Sequence, residues 1–337
     1  MLRNQLGNLQ KMASQPVRGP RVWEWTPESI DYHLQTRFSQ LEVATVMELW
    51  NEGFETVEDI YSIMLIGKKS PKSRLMVSYY EKLTRIFWVS ENHLFHAYAW
   101  YRYYTLSCER RDMKRDEKTL LATCVLLSAL CIPSIKETDS SAAILDDDEV
   151  ASEKNQRMAL LLDFNVNPTR QSLLNEIVSK GLLNEVSPEL AGLYHHIEAT
   201  FHPLKMVKGL SSILNTIKST PLLAQYSIPL QKIAVMRTMQ QMSRVYNTVK
   251  IEFVQSLFSG VELSFSEIEK LIVDGVSKKQ LHLRIDHSGG CMRFGTSSAA
   301  TAAIDTQLAQ LGAALNKISR SVNVSQVTPV LLILSLP

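Results

Sequence analysis

Residues 263–295 constrain the fold more than any other stretch, because the spacing of apolar residues changes period there. Ser264 and Glu267 form an S-x-x-E capping box, which satisfies free N–H groups at a helix start. Leu263 and Ile268 occupy the two hydrophobic-staple positions around it. Ile268, Leu271, Ile272 and Val276 then recur at helical spacing, so one face is apolar. From Leu281 the period becomes two. Leu281, Leu283 and Ile285 alternate with His282, Arg284 and Asp286, the pattern of a strand with one buried face. Ser288-Gly289-Gly290 supplies the positive φ angles of a short turn. Met292 and Phe294 flank Arg293 in a second strand.

Two amphipathic segments precede this unit. Pro229 fits the first turn of one helix, whose apolar residues are Val235, Met239, Met242, Tyr246 and Val249. Ile251, Val254, Leu257 and Phe258 mark the next. Three helices closed by one small β-hairpin outline a winged helix.

The rest reads as helix after helix, which makes the fold mainly α. One long pattern runs from Ile30 to Trp50 and is broken by Gly53. Helices follow over Phe54–Ile66, Lys72–Val89, Leu94–Cys108 and Lys118–Leu130. An acidic run at 146–149 precedes a helix ending at Leu162, where the positive end of the helix dipole favours it. Thr169–Ser179, Pro188–Ala199 and Pro203–Lys218 complete the series. Stacked antiparallel pairs of this kind build an α-solenoid. The expected divisions are 1–29, a helix end and a loop holding Trp23 and Trp25; 30–227, helical repeats; 228–295, the winged helix; and 296–337, a last helix and a tail. The leading Leu2, Leu6 and Leu9 have helical spacing with nothing before them to pair with, so they read as the end of a helix.

Net charge is +2, so nucleic-acid contact would need a local patch. Cys108, Cys124, Cys131 and Cys291 form no C-x-x-C pair and read as reduced thiols of an intracellular protein. No run reaches the ~18 apolar residues of a membrane span.

Helical repeats ending in a winged helix are the PCI fold. Met47-Glu48-Leu49-Trp50, Val57-Glu58-Asp59-Ile60, Leu94-Phe95-His96-Ala97 and Pro168-Thr169-Arg170 resemble segments of the A-subunit family of eukaryotic translation initiation factor 3. So do Pro203-Leu204-Lys205, Ile272-Val273-Asp274 and Arg284-Ile285-Asp286-His287 with Phe294-Gly295. The resemblance spans about residues 28 to 295 in one register. It implies a non-catalytic cytoplasmic scaffold that joins other initiation factor subunits, including a second PCI subunit, on the small ribosomal subunit, with mRNA or rRNA contact. The alternatives are a PCI subunit of the proteasome lid or signalosome, or a stand-alone RNA-binding module.

No catalytic constellation emerges, and no cofactor is expected. His93-x-x-His96 and the group His195, His196 and His202 lack further ligands at zinc spacing, so they read as packing or surface histidines. Asp286-His287-Ser288 are consecutive and cannot face one another as a triad must. Aromatic residues from Tyr98 to Tyr104 at helical spacing read as core rather than as a base-stacking platform. Two sets carry the interaction hypotheses. Lys278, Lys279, His282, Arg284 and Arg293 are candidate phosphate contacts or, equally, a solvated face. Leu281, Leu283, Ile285, Met292 and Phe294 are expected to bury one hairpin face and hold its edge open for a partner strand.

Overall fold

The computed structural model describes residues 26–67, 71, 73–109, 113–133, 147–164, 168–199, 213–278 and 280–295. It also describes 4, 7, 8, 11, 307, 308, 310–315 and 317–319. The expectations for Leu2, Leu6, Leu9, Trp23, Trp25, Asp146, His202, Lys279, residues 203–212 and most of 296–337 lie outside them, as do the side chains of 147–149 and His196. The chain forms two compact units, Met1–Ala234 and Val235–Pro337.

The described residues of the first unit form helices joined by turns, with no strand among them. Its helices are α1 (Pro27–Val46), α2 (Trp50–Gly67), α3 (Ser73–Val89), α4 (His93–Cys108) and α5 (Arg115–Leu130). Then come α6 (Asp147–Leu161), α7 (Arg170–Ser179) and α8 (Pro188–Tyr194), which runs into a π-helical turn, His195–Ala199. Residues 213–219 form α9, Pro221–Ala224 α10, and α11 (Ser227–Val245) carries the unit boundary. Neighbours α1 and α2, α3 and α4, and α4 and α5 pack side by side.

The aromatic residues of α3 and α4 are core. Tyr79, Phe87, Phe95, Tyr98 and Tyr101 are buried in one apolar cluster. Buried tyrosines need acceptors for their hydroxyls. Tyr79 donates to the Leu161 carbonyl at 3.1 Å and Tyr98 to the Thr169 carbonyl at 2.9 Å. These bonds tie α3 and α4 to the end of α6 and the cap of α7. The buried thiols Cys124 and Cys131 belong to the same cluster, and burial pushes the Cys124 pKa up to about 12.

The break expected at Gly53 falls elsewhere. Helix α1 ends at Val46, and Gly53 lies inside α2. The chain reverses at Glu48, whose φ is 57°. Leu49 N–H donates to the Ala44 carbonyl and Glu48 N–H to Thr45, the two bonds of a Schellman cap. The same closure recurs at Glu91, with Asn92 bonded to Phe87, and at Asp163, with Phe164 bonded to Ala159. Three helices thus stop on acidic residues in the left-handed conformation, where glycine is the usual choice.

The second unit contains β1 (Thr248–Lys250), α12 (Ile251–Leu257), α13 (Phe265–Ser277), β2 (Leu283–Asp286) and β3 (Cys291–Phe294). Among the described residues no strand precedes Thr248. The strands form one antiparallel sheet in the order β1-β3-β2. The expected hairpin is present, but it carries a third strand, so Val249 belongs to the sheet and not to the helix its spacing suggests. Val235, Met239, Met242, Val254, Ile268, Ile272 and Met292 are buried in this unit.

Candidate functional site

Helix α13 sets the base of the hairpin. The Ser264 side chain accepts from the Glu267 N–H, and the Glu267 carboxylate accepts from the Ser264 N–H at 2.8 Å, so both halves of the capping box form. At the other end, Gln280 and Leu281 N–H groups donate to the Gly275 carbonyl. Leu281 is therefore tied to the end of α13, and β2 begins two residues later than expected.

Register decides which side chains share a face. Leu283 opposes Phe294, Ile285 opposes Met292, and Val249 opposes Met292 from the other side. Met292, Val249 and Leu281 are buried, whereas Leu283, Ile285 and Phe294 are only half-buried. The expected apolar face exists, but its core is Met292 flanked by Val249 and Leu281. On the opposite face Arg284 lies against Arg293, Thr248 against Arg293, and Lys250 against Cys291. Arg284, Arg293, Lys250 and His282 are exposed. Lys250 is absent from the expected basic set because its segment reads as helix. The signal that marks it is Asn247 followed by the β-branched pair Thr248-Val249.

The basic residues are not equivalent. Arg293 lies 3.5 Å from Asp286. The Gly289 backbone N–H, then the Ser288 hydroxyl, hold the Asp286 carboxyl below its usual range. Lys278 caps α13 and pairs with Asp274 at 2.8 Å. Arg284 has no ion pair among the described residues.

The backbone bonds define the sheet edge. Phe294 N–H donates to Asn247 and Gly295 N–H to His282. Antiparallel pairs alternate between bonded and non-bonded. Arg284 and Asp286 therefore turn their backbone groups toward β3. Leu283 and Ile285 turn theirs to the outer side of β2, which has no neighbouring strand among the described residues.

The histidine pair on α4 has another use. His96 Nδ1 contacts the Thr84 carbonyl at 2.7 Å and Nε2 the Tyr226 hydroxyl at 2.8 Å. Both ring nitrogens are occupied, and burial lowers its pKa to about 3. Among the described residues no group of three or more His, Cys, Asp or Glu is placed to hold a metal. None of their helices is long and apolar enough to cross a membrane.

Helical pairs followed by helices and a small three-stranded sheet define a PCI-type protein. Residues 1–205 match the family model described as "eIF3a, PCI domain, TPR-like region", and residues 211–296 match the PCI domain. The chain is 41% identical over 311 residues to the A subunit of eukaryotic translation initiation factor 3 from Coccidioides immitis, covering 87% of this chain and 30% of that protein. It is 40% identical over 320 residues to the Chaetomium globosum counterpart, with 90% and 30% covered, and 37% identical over 339 residues to that of Arabidopsis thaliana, with 94% and 34% covered. The chain belongs to the eIF3a PCI family. It spans about a third of the length of these relatives.

Proposed function

We propose that this chain is the PCI portion of a non-catalytic scaffold subunit of the initiation factor 3 complex in the cytoplasm. It assembles PCI subunits on the small ribosomal subunit and supports mRNA recruitment. Family membership supports the complex. The observation that carries the docking mechanism is the outer edge of β2, where Leu283 and Ile285 present backbone groups to a partner strand. The exposed face beside it, with Arg284, Arg293, Lys250 and His282, supports electrostatic RNA contact; Lys278, paired with Asp274, is a weaker candidate, and Lys279 is a candidate on its sequence position alone. Phosphate contacts position a nucleic acid without reading its sequence.

The test of the edge is Ile285→Pro. Proline removes one outward N–H and is tolerated on edge strands. With circular dichroism matching the parent, co-purification of a second PCI subunit should fall sharply. Undiminished recovery would move the docking surface to the helical repeats.

A further inference from the structure

We infer that the first unit carries a binding cleft for a proline-rich peptide segment, independent of the sheet and of the scaffold reading. A cavity of about 440 Å³ opens between the start of α2, the end of α3, the middle of α4, α5 and α10. Its walls are Trp50, the first residue of α2, Trp88 in the last turn of α3, and Trp100 and Tyr103 on α4. Val89 and Leu222 form apolar lips, 47% and 40% exposed. Trp50, Trp88 and Tyr103 are half-buried, so part of each ring stays accessible to a ligand, while Trp100 is buried behind them.

The walls are held in place from behind. The Trp88 ring lies 4.9 Å from His96, 5.2 Å from Tyr226 and 5.6 Å from His93, centroid to centroid. Tyr103 is braced edge-on by Trp100 at 5.6 Å. A ligand therefore meets a surface that is already ordered, which lowers the cost of binding.

Three properties select the ligand. Proline rings pack on flat aromatic faces, and aromatic-lined grooves recognise polyproline II segments. Such a segment has no internal hydrogen bonds, so its carbonyls are free to accept. Neither the Trp50 nor the Trp88 indole N–H has a hydrogen-bond partner among the described residues, so both are available donors. The third property is charge. Glu81 lines the cleft, and its ion pair is with Lys82 at 4.0 Å, the outer limit of such a contact. A basic residue of the ligand beside its prolines complements Glu81. Arg85 is the only Lys or Arg in a mainly apolar lining among the described residues and is offset by Glu81, so the cleft has no net positive charge to collect phosphates and a nucleic acid fits poorly.

The experiment is fluorescence anisotropy on the 337-residue chain with a labelled nonaproline interrupted by one arginine. Controls are the same peptide with glutamate for arginine, and a single-stranded oligouridylate. Saturable binding of the arginine peptide is expected. Trp50→Ala should weaken it at least about tenfold, equivalent to ~1.4 kcal/mol. Glu81→Lys should weaken the arginine peptide and strengthen the glutamate peptide, a reversal that misfolding cannot produce. The proposal is overturned if neither peptide saturates, if both variants bind like the parent, or if the oligouridylate binds more tightly than the peptide and loses binding with Trp50→Ala.

Discussion

Arg284 and Arg293 stand directly opposite one another on neighbouring strands, on the exposed face of the sheet. Like charges facing across a pair destabilise a sheet. Asp286 relieves Arg293 from one side at 3.5 Å, and Arg284 has no such partner among the described residues. An anion laid across this face would relieve both. Arg284→Thr should therefore stabilise the second unit by about 0.2–1 kcal/mol and weaken RNA binding. Chemical denaturation and RNA titration of the same variant check the two halves. Unchanged RNA affinity would make the face merely solvated.

Salt dependence gives an independent measure. Each lost phosphate contact should reduce the slope of log affinity against log salt by about 1, uniformly across RNA sequences. Replacing Arg284 and Lys250 together should lower the slope by ~2. Replacing Lys278, already paired with Asp274, should change it little.

Glu48 and Glu91 offer a stability test. The left-handed conformation costs an L residue roughly 1–2 kcal/mol, and glycine avoids the cost while losing more chain entropy on folding. Glu48→Gly should raise stability by about 0.5–1 kcal/mol, a rise of ~1–4 °C in melting temperature. A fall would mean that the Glu48 side chain does more than occupy the turn.

His96 predicts a pH dependence. Folded, its pKa is about 3; unfolded, about 6.5. Between those values the unfolded state binds the extra proton, so stability is lost as pH falls from 6.5 towards 3. The slope from this residue is ~1.4 kcal/mol per pH unit. Urea unfolding at several pH values should show it, and His96→Gln should flatten it. Tyr226→Phe, which strips Nε2 of its partner, should cost about 1–3 kcal/mol at neutral pH.

Buried charge separates the two hairpin positions. Met292→Asp should unfold the second unit, because Met292 is fully buried. Leu283→Asp, at a half-buried edge position, should be milder. Circular dichroism of the two variants distinguishes them; equal damage would contradict the register.

Much of this architecture is legible in the sequence because local signals and packing agree. The Ser264–Glu267 box, the helical face through Ile268 and Ile272, and the period change into β2 and β3 all survive in the fold. Strand β1 is illegible for a specific reason. Val249 continues the three-and-four spacing of Val235, Met239, Met242 and Tyr246, and three residues are too few to show alternation. Lys250 is lost with it. The helix end at Glu48 is hidden because its left-handed turn uses an acidic residue rather than glycine, whereas the ends before Glu91 and Asp163 fall where the apolar spacing stops. The aromatic cleft is invisible because Trp50, Trp88 and Trp100 meet only after separate helices have stacked.

We propose that this chain is built into the initiation factor 3 complex. Affinity purification of the tagged chain followed by mass spectrometry tests it most directly. Other initiation factor 3 subunits should be recovered with it, together with small-subunit ribosomal proteins. Recovery of proteasome lid or signalosome subunits in their place would contradict it.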